Sequence, residues 1–245
     1  MLLLVFFFLG NSNLFSENYF IWAIVILGVG ISVISLVYSA WARRKRREAL
    51  QQIAIEMGYS FTLEDKEFNA QITTASPLEI LSKGRNRKAY NLLRGQKRDA
   101  QVLLFDYQYT TGNGKNNEIH RQTLGILSLE QAELVPFTLR GRGFFDKVAA
   151  KFGQEEVQID AAPEFSKKYL VKGSNEEAVR KVFTPRVVEF FTQQKNLACE
   201  VVENQVLIYN PGRTVKPEEV RSFLDRAVQL LELMQQPTYD FDYAR

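Results

Sequence analysis

The chain has 245 residues, 46% hydrophobic and 24% charged, which is enough apolar material for a sizeable core and too much for a disordered chain. Its formal charge is +3, but the five cations of Arg43-Arg44-Lys45-Arg46-Arg47 and the one preceding anion, Glu17, supply a net +4, leaving −1 on residues 48–245; a generally basic nucleic-acid-binding domain is excluded. One cysteine, Cys199, and one histidine, His120, exclude an internal disulfide, a cysteine-built zinc site and a histidine-rich metal centre, so no metal and no cofactor is expected.

Residues 1–18 form a short apolar segment, expected outside the cytoplasm, whose run Leu2–Leu9 is too short as a helix to cross a bilayer. Residues 19–42 carry no charge and are long enough to cross a hydrocarbon layer of roughly 30 Å, so they are the predicted transmembrane helix. Tyr19 and Trp22 stand at one end and Tyr38 and Trp41 at the other, where amphipathic rings favour the headgroup level. The basic run Arg43, Arg44, Lys45, Arg46 and Arg47 follows directly. It predicts a membrane-surface collar, with the N-terminus outside and the C-terminal side in the cytoplasm. A cleaved signal peptide carries its positive charge before the apolar stretch instead. Gly28, Ser32, Ser35 and Ser39 share one helix face, a candidate helix–helix contact for a homodimer, although small residues merely tolerated in lipid explain the stripe equally well.

Residues 43–58 are predicted as a basic juxtamembrane helix that continues the membrane helix as one rod, because Ala49, Leu50, Ile53, Ala54 and Met57 keep helical spacing up to Gly58. Residues 59–236 are expected to be a cytoplasmic α+β domain. Strands are predicted at 59–63, 89–93, 101–111 and 119–129, the last two forming a hairpin with a long polar tip. A helix is expected over 143–153, then short strands at 156–159 and 168–172. Ser174 and Glu177 sign a capping box for a helix ending near Phe183, and Thr184-Pro185 opens another that buries Val188 and Phe191. Residues 197–202 and 205–209 form the second predicted hairpin. Pro217 then opens a helix whose face is Val220, Phe223, Leu224, Ala227, Leu230, Leu231 and Met234. Residues 237–245 lack periodicity and are expected to be a flexible tail. Hairpins outnumber strand-helix-strand units, so an antiparallel sheet with two hairpins and packed helices is favoured over a doubly wound one.

The chemistry-bearing residues are sparse. Asp106, His120 and Arg121 lie on the predicted 101–129 hairpin, and an Asp–His pair there would suit acid–base work, although Arg121 is an equally good partner for Asp106. Gly112-Asn113-Gly114-Lys115 is not a P-loop: Tyr109 and Asn116 stand where glycine and Ser or Thr are needed, and the loop joins strand to strand. Lys83, Arg85, Arg87, Lys88 and Arg94 fall in a stretch without acids, extended by Lys97 and Arg98, and Arg140, Arg142, Lys147 and Lys151 surround the phenylalanines of the predicted 143–153 helix. Both groups are candidate surface patches for anionic lipid.

The strings Lys83-Gly-Arg-Asn-Arg-Lys-Ala-Tyr-Asn-Leu-Leu-Arg-Gly95, Phe105-Asp-Tyr-Gln-Tyr-Thr-Thr-Gly-Asn-Gly-Lys115, Pro163-Glu-Phe-Ser-Lys-Lys-Tyr-Leu170 and Tyr209-Asn-Pro-Gly-Arg213 resemble an uncharacterised family of bacterial single-span membrane proteins with a cytoplasmic α+β domain. The resemblance implies a bacterial inner (plasma) membrane setting and carries over no activity or site residue. Two functions are left: a membrane-anchored, non-enzymatic binding or scaffold module for the lipid bilayer or a protein partner, or a membrane-bound enzyme with a site near the 105–121 hairpin built from Asp106, His120, Arg121 and Lys115.

Overall fold

The computed structural model describes residues 17–74, 76–130, 132–142, 155–159 and 162–235. The apolar run 2–9, the predicted helix 143–153 and the tail 237–245 lie outside the described residues. The chain divides into two compact units, Met1–Glu48 and Ala49–Arg245.

A single helix, α1 (Glu17–Met57, 41 residues), carries the apolar stretch. By length and composition it is able to cross a membrane, and the apolar window within it is wholly unburied. Two of its serine hydroxyls are satisfied internally: Ser32 Oγ donates to the Gly28 carbonyl at 2.8 Å and Ser39 Oγ to that of Leu36 at 2.9 Å, which lets serine sit on an apolar helix at low cost. At the end of the apolar stretch the Tyr38 and Trp41 rings lie 6.0 Å apart, and Lys45 Nζ stands 5.1 Å above the Trp41 ring.

In the second unit, the last turns of α1 bury Leu50 and Ala54 in the core. The helix stops at Gly58, whose φ of +70° no β-carbon opposes; the Gly58 and Tyr59 amides turn back to the Ile55 and Ala54 carbonyls at 3.1 and 2.8 Å.

Among the described residues nine strands then form one sheet: β1 (Ser60–Thr62), β2 (Arg85–Lys97), β3 (Ala100–Thr111), β4 (Glu118–Leu129), β5 (Phe137–Gly141), β6 (Glu155–Glu156), β7 (Tyr169–Gly173), β8 (Ala198–Val202) and β9 (Gln205–Tyr209). Their spatial order is β1-β2-β3-β4-β9-β8-β5-β7-β6, and every pairing is antiparallel. Strands β2 and β3 pair across Arg98-Asp99 as well, so the sheet holds a hairpin beyond the two expected. Strand β2 starts at Arg85, ahead of the predicted Ala89, because the charged run that opens it pairs along β3 as far as Thr110.

Alternation along the strands makes two faces. One carries Leu93, Val102, Leu104, Leu127, Leu139, Val171, Cys199, Val201, Val206 and Ile208. It packs against α4 (Pro163–Lys168), α5 (Glu176–Val182), α6 (Pro185–Gln193) and α7 (Val220–Gln235). Val220, Phe223, Leu224, Ala227, Leu230 and Leu231 of α7 are buried, while Met234 is only partly so. In α6 the buried residues are Val187, Phe190 and Phe191; Val188 is half-exposed, one position off the expected face. α7 approaches β4 closely at Gly125, where a β-carbon would stand 2.9 Å from Phe223 Cε1.

The opposite face carries Ala89, Leu92, Phe105, Tyr107, Tyr109, Leu124, Ile126, Ala198, Leu207 and Tyr209. It is covered by residues 64–82, with α2 (Lys66–Thr74) and α3 (Glu79–Ser82), through Phe68, Ile72, Leu78, Ile80 and Leu81. Neither helix is foreseen from the sequence. Asp65 starts α2 by accepting the Phe68 amide at 3.0 Å. The Asn69 carboxamide closes part of the β2 edge, accepting the Ala89 amide at 2.7 Å and donating to its carbonyl at 3.0 Å.

Candidate functional site

On the face under α3, the alternation of β5 and β8 turns Arg140 and Glu200 inward among aromatic rings. Arg140 is 1% exposed and Glu200 0%. The Arg140 guanidinium donates through Nη1 to Glu79 Oε1 at 2.9 Å and through Nη2 to Glu200 Oε1 at 2.5 Å. Both Glu200 oxygens also accept the Ile80 amide at 3.2 Å, so a carboxylate of the sheet caps the first turn of a four-residue helix that has no side-chain cap of its own. The Tyr209 hydroxyl donates to Glu200 Oε1 at 3.4 Å, and the Tyr107 hydroxyl and Arg87 Nη1 both donate to the Leu81 carbonyl at 3.1 Å. Thr138, in register with Glu200 and 6% exposed, has a hydroxyl without a hydrogen-bond partner among the described residues.

Two carboxylates share one arginine here, and the electrostatics follow. Burial raises the Glu200 carboxyl above its ordinary value; the Arg140 charge opposes this and the Glu79 charge adds to it. Burial acts to lower Arg140, yet Tyr209, Glu200 and Glu79 together carry it above its ordinary value, so it keeps its charge. Lys83, half-buried beside the cluster, is lowered by burial and by Arg140, against the pull of Glu79 and Glu200. Its ammonium stands 5.9 Å from the Tyr109 ring centre, whose hydroxyl burial pushes up to about 12.

The predicted acid–base group is not brought together. Continuous register pairs Asp106 with Thr123, Gln108 with Arg121 and Tyr109 with His120, which sends Asp106 and His120 to opposite faces of the sheet. Asp106, 1% exposed, accepts from Asn91 Nδ2 at 2.9 Å and Thr123 Oγ1 at 2.8 Å. Thr123 Oγ1 in turn accepts the Val215 amide at 2.9 Å, tying the segment before α7 to the sheet. His120 stacks on Tyr109 at 4.7 Å with its Nε2 2.7 Å from Thr111 Oγ1, and Arg121 donates to Gln108 Oε1 at 2.9 Å. Lys115 sits in the single 3-10 turn at the hairpin tip.

The acid-free basic stretch acquires acids from elsewhere in the chain. Lys88 pairs with Glu64 at 2.9 Å, Arg94 with Asp65 at 2.7 Å, Lys97 with Asp225 and Arg98 with Glu232, while Arg85 is held by the Gly112 carbonyl and Asn117. Arg140, expected on the surface, is in the core, and Arg142 pairs with Glu156 at 2.6 Å. Sequence reasoning missed Glu79, Glu200 and Arg140 as a unit. The available signal was a lone charge within each of two otherwise uncharged strand runs, Phe137-Thr-Leu-Arg-Gly141 and Ala198-Cys-Glu-Val-Val202.

A solved fold resembles this one. It is the crystal structure of the mycobacterial trehalose monomycolate transport factor A, with a TM-score of 0.59, 17% sequence identity, and a likeness covering 78% of this chain and 96% of that one. At this identity the likeness speaks for the fold alone. No protein-family model matches the chain, and no curated protein sequence matches it.

Proposed function

We propose that this chain is a single-pass protein of a bacterial inner membrane, anchored by residues 19–42 with its N-terminus outside, whose cytoplasmic α+β domain is a non-enzymatic module working on or beside membrane lipid. The observation that carries the reading is the long, unburied apolar stretch of α1 followed directly by Arg43–Arg47. Basic residues beside an anionic leaflet contribute about 1 kcal/mol each, and the Tyr38, Trp41 and Lys45 contacts suit the headgroup level. The solved fold that resembles this one is that of a trehalose monomycolate transport factor, so the fold is compatible with a lipid-related role. The enzyme reading near the 105–121 hairpin has less support, because Asp106 and His120 face opposite sides of the sheet.

The test uses the full chain expressed in a Gram-negative bacterium. It should stay in the membrane pellet through alkaline carbonate extraction, and a C-terminal reporter active only in the cytoplasm should be active. Release by carbonate removes the anchor, and a periplasmic C-terminus reverses the orientation. Replacing Arg43, Arg44, Lys45, Arg46 and Arg47 by glutamine should weaken or invert that orientation.

A further inference from the structure

We propose that residues 64–82 are a displaceable strap over a binding face for a single-chain anionic amphiphile, in which Glu79 holds the place on Arg140 that the ligand's headgroup takes. This rests on the lipid-related reading above and names a ligand class and a site for it.

The strap is fixed at its ends and held by exchangeable contacts between them. At one end the Leu63 carbonyl accepts the Asn91 amide at 2.8 Å. At the other, Gly84 has φ +68° and lies so close to the Thr110 carbonyl that a β-carbon would approach it to 2.5 Å. In between are two short helices of 9 and 4 residues. Their polar attachments are Glu79 to Arg140, the Ile80 amide to Glu200, the Leu81 carbonyl to Arg87 and Tyr107, Asp65 to Arg94, Glu64 to Lys88 and the Asn69 carboxamide to the Ala89 main chain. Of the sheet partners, Arg140, Arg87 and Tyr107 are donors that an anionic headgroup would meet once the strap lifts.

The charge favours an anion. With the strap closed, Arg140 and Lys83 balance Glu79 and Glu200; with Glu79 withdrawn, the same site is left one positive charge in excess. Withdrawal of Glu79 leaves Arg140 with Glu200 as its carboxylate partner in the cluster, and an anion bound in the place of Glu79 restores the second ion pair, which favours the open state. Phosphate or carboxylate oxygens suit the planar fork of Arg140, and the Thr138 hydroxyl, buried on the same face beside Glu200 and without a partner among the described residues, is a further donor for them. The apolar part follows from what the strap covers: Ile72, Leu78, Ile80 and Leu81 lie on Phe105, Leu124, Ile126 and Leu207, a strip that one acyl chain would cover in their stead. The Tyr107, Tyr109 and His120 rings, neighbours at 5.8 and 4.7 Å, lead from that strip toward half-buried Lys83.

The test is hydrogen exchange on the full chain in nanodiscs of zwitterionic lipid, titrated separately with lysophosphatidylglycerol, lysophosphatidylcholine and inorganic phosphate. The anionic amphiphile should raise exchange in peptides spanning 64–82 saturably, by about tenfold, while the phosphocholine amphiphile and phosphate leave them unchanged. Glu79→Gln should lower the concentration for half-effect by about tenfold. An equal response to all three additions, or none, overturns the proposal. So does a Glu79→Gln chain whose strap exchanges faster without any change in its response to the amphiphile, and a full response to phosphate alone overturns the amphiphile assignment. A chain that passes carbonate extraction yet shows no strap response refutes this inference and leaves the membrane reading standing.

Discussion

The two faces of the sheet are held by different physics. Against the C-terminal helices the contacts are mainly hydrocarbon, with Phe223, Leu224, Leu230 and Phe191 fully buried and polar links such as Asp106–Thr123–Val215 and Tyr169–Phe191 between them. Under the strap, an arginine and a glutamate as deeply buried as those side chains sit among tyrosines. Apolar packing stabilises roughly in proportion to area and tolerates no vacancy. A buried ion cluster contributes little net stability but is costly when one member is lost. The helical face therefore reads as the folding core, and the strap face as one whose state depends on which charges are present.

The largest effects should distinguish these two kinds of burial. Phe223→Ala and Arg140→Leu should each destabilise the chain by about 3–5 kcal/mol in urea unfolding. Only the second should be rescued by a further substitution: Arg140→Leu with Glu200→Leu and Glu79→Gln should recover most of the loss, because no fully buried charge then remains and Lys83 is only half-buried. Failure of that rescue would make the strap face an ordinary rigid core. A smaller effect tests the close approach on the helical side. Gly125→Ala places a methyl 2.9 Å from Phe223 Cε1 and should cost about 1–3 kcal/mol by overpacking; a neutral outcome would mean that α7 shifts freely.

The smallest effect is a pH dependence confined to the strap face. Burial raises the Glu200 carboxyl in the folded chain above its ordinary 4.5, so the folded state binds this proton more readily than the unfolded one. The resulting stability is present in full below the unfolded value and is lost as pH rises through the raised folded value. The stability difference between the natural chain and Glu200→Gln should therefore move in favour of the natural chain as pH falls from neutrality toward about 4.5. A difference that is flat in pH would remove Glu200 as a titrating group.

Elements with long, regular apolar spacing were legible in the sequence. α7 shows its buried face at helical period, the β3 and β4 strands are long apolar-rich runs on either side of a polar tip, and the charge-free run of α1 needs no partner to be recognised. α2 and α3 were not legible, because nine and four residues give too few turns for a period to emerge and their stability comes from what they cover. The candidate site was hidden for a related reason. Glu79, Arg140 and Glu200 are far apart in sequence and meet only through the order in which β5 and β8 enter the sheet. The same non-local pairing turned an acid-free basic stretch into a series of ion pairs with Glu64, Asp65, Asp225 and Glu232.

The Asn69 carboxamide has a consequence beyond starting or ending an element. β1 pairs with β2 only at Leu92, Leu93 and Arg94, and at Ala89 it is Asn69 that occupies both main-chain groups of the outer strand. An open strand edge is a template for another chain. Because Asn69 belongs to α2, lifting that helix would uncover Ala89 at the moment the sheet face opens. One side chain thus closes the outer strand and ties it to the helix that covers the sheet face.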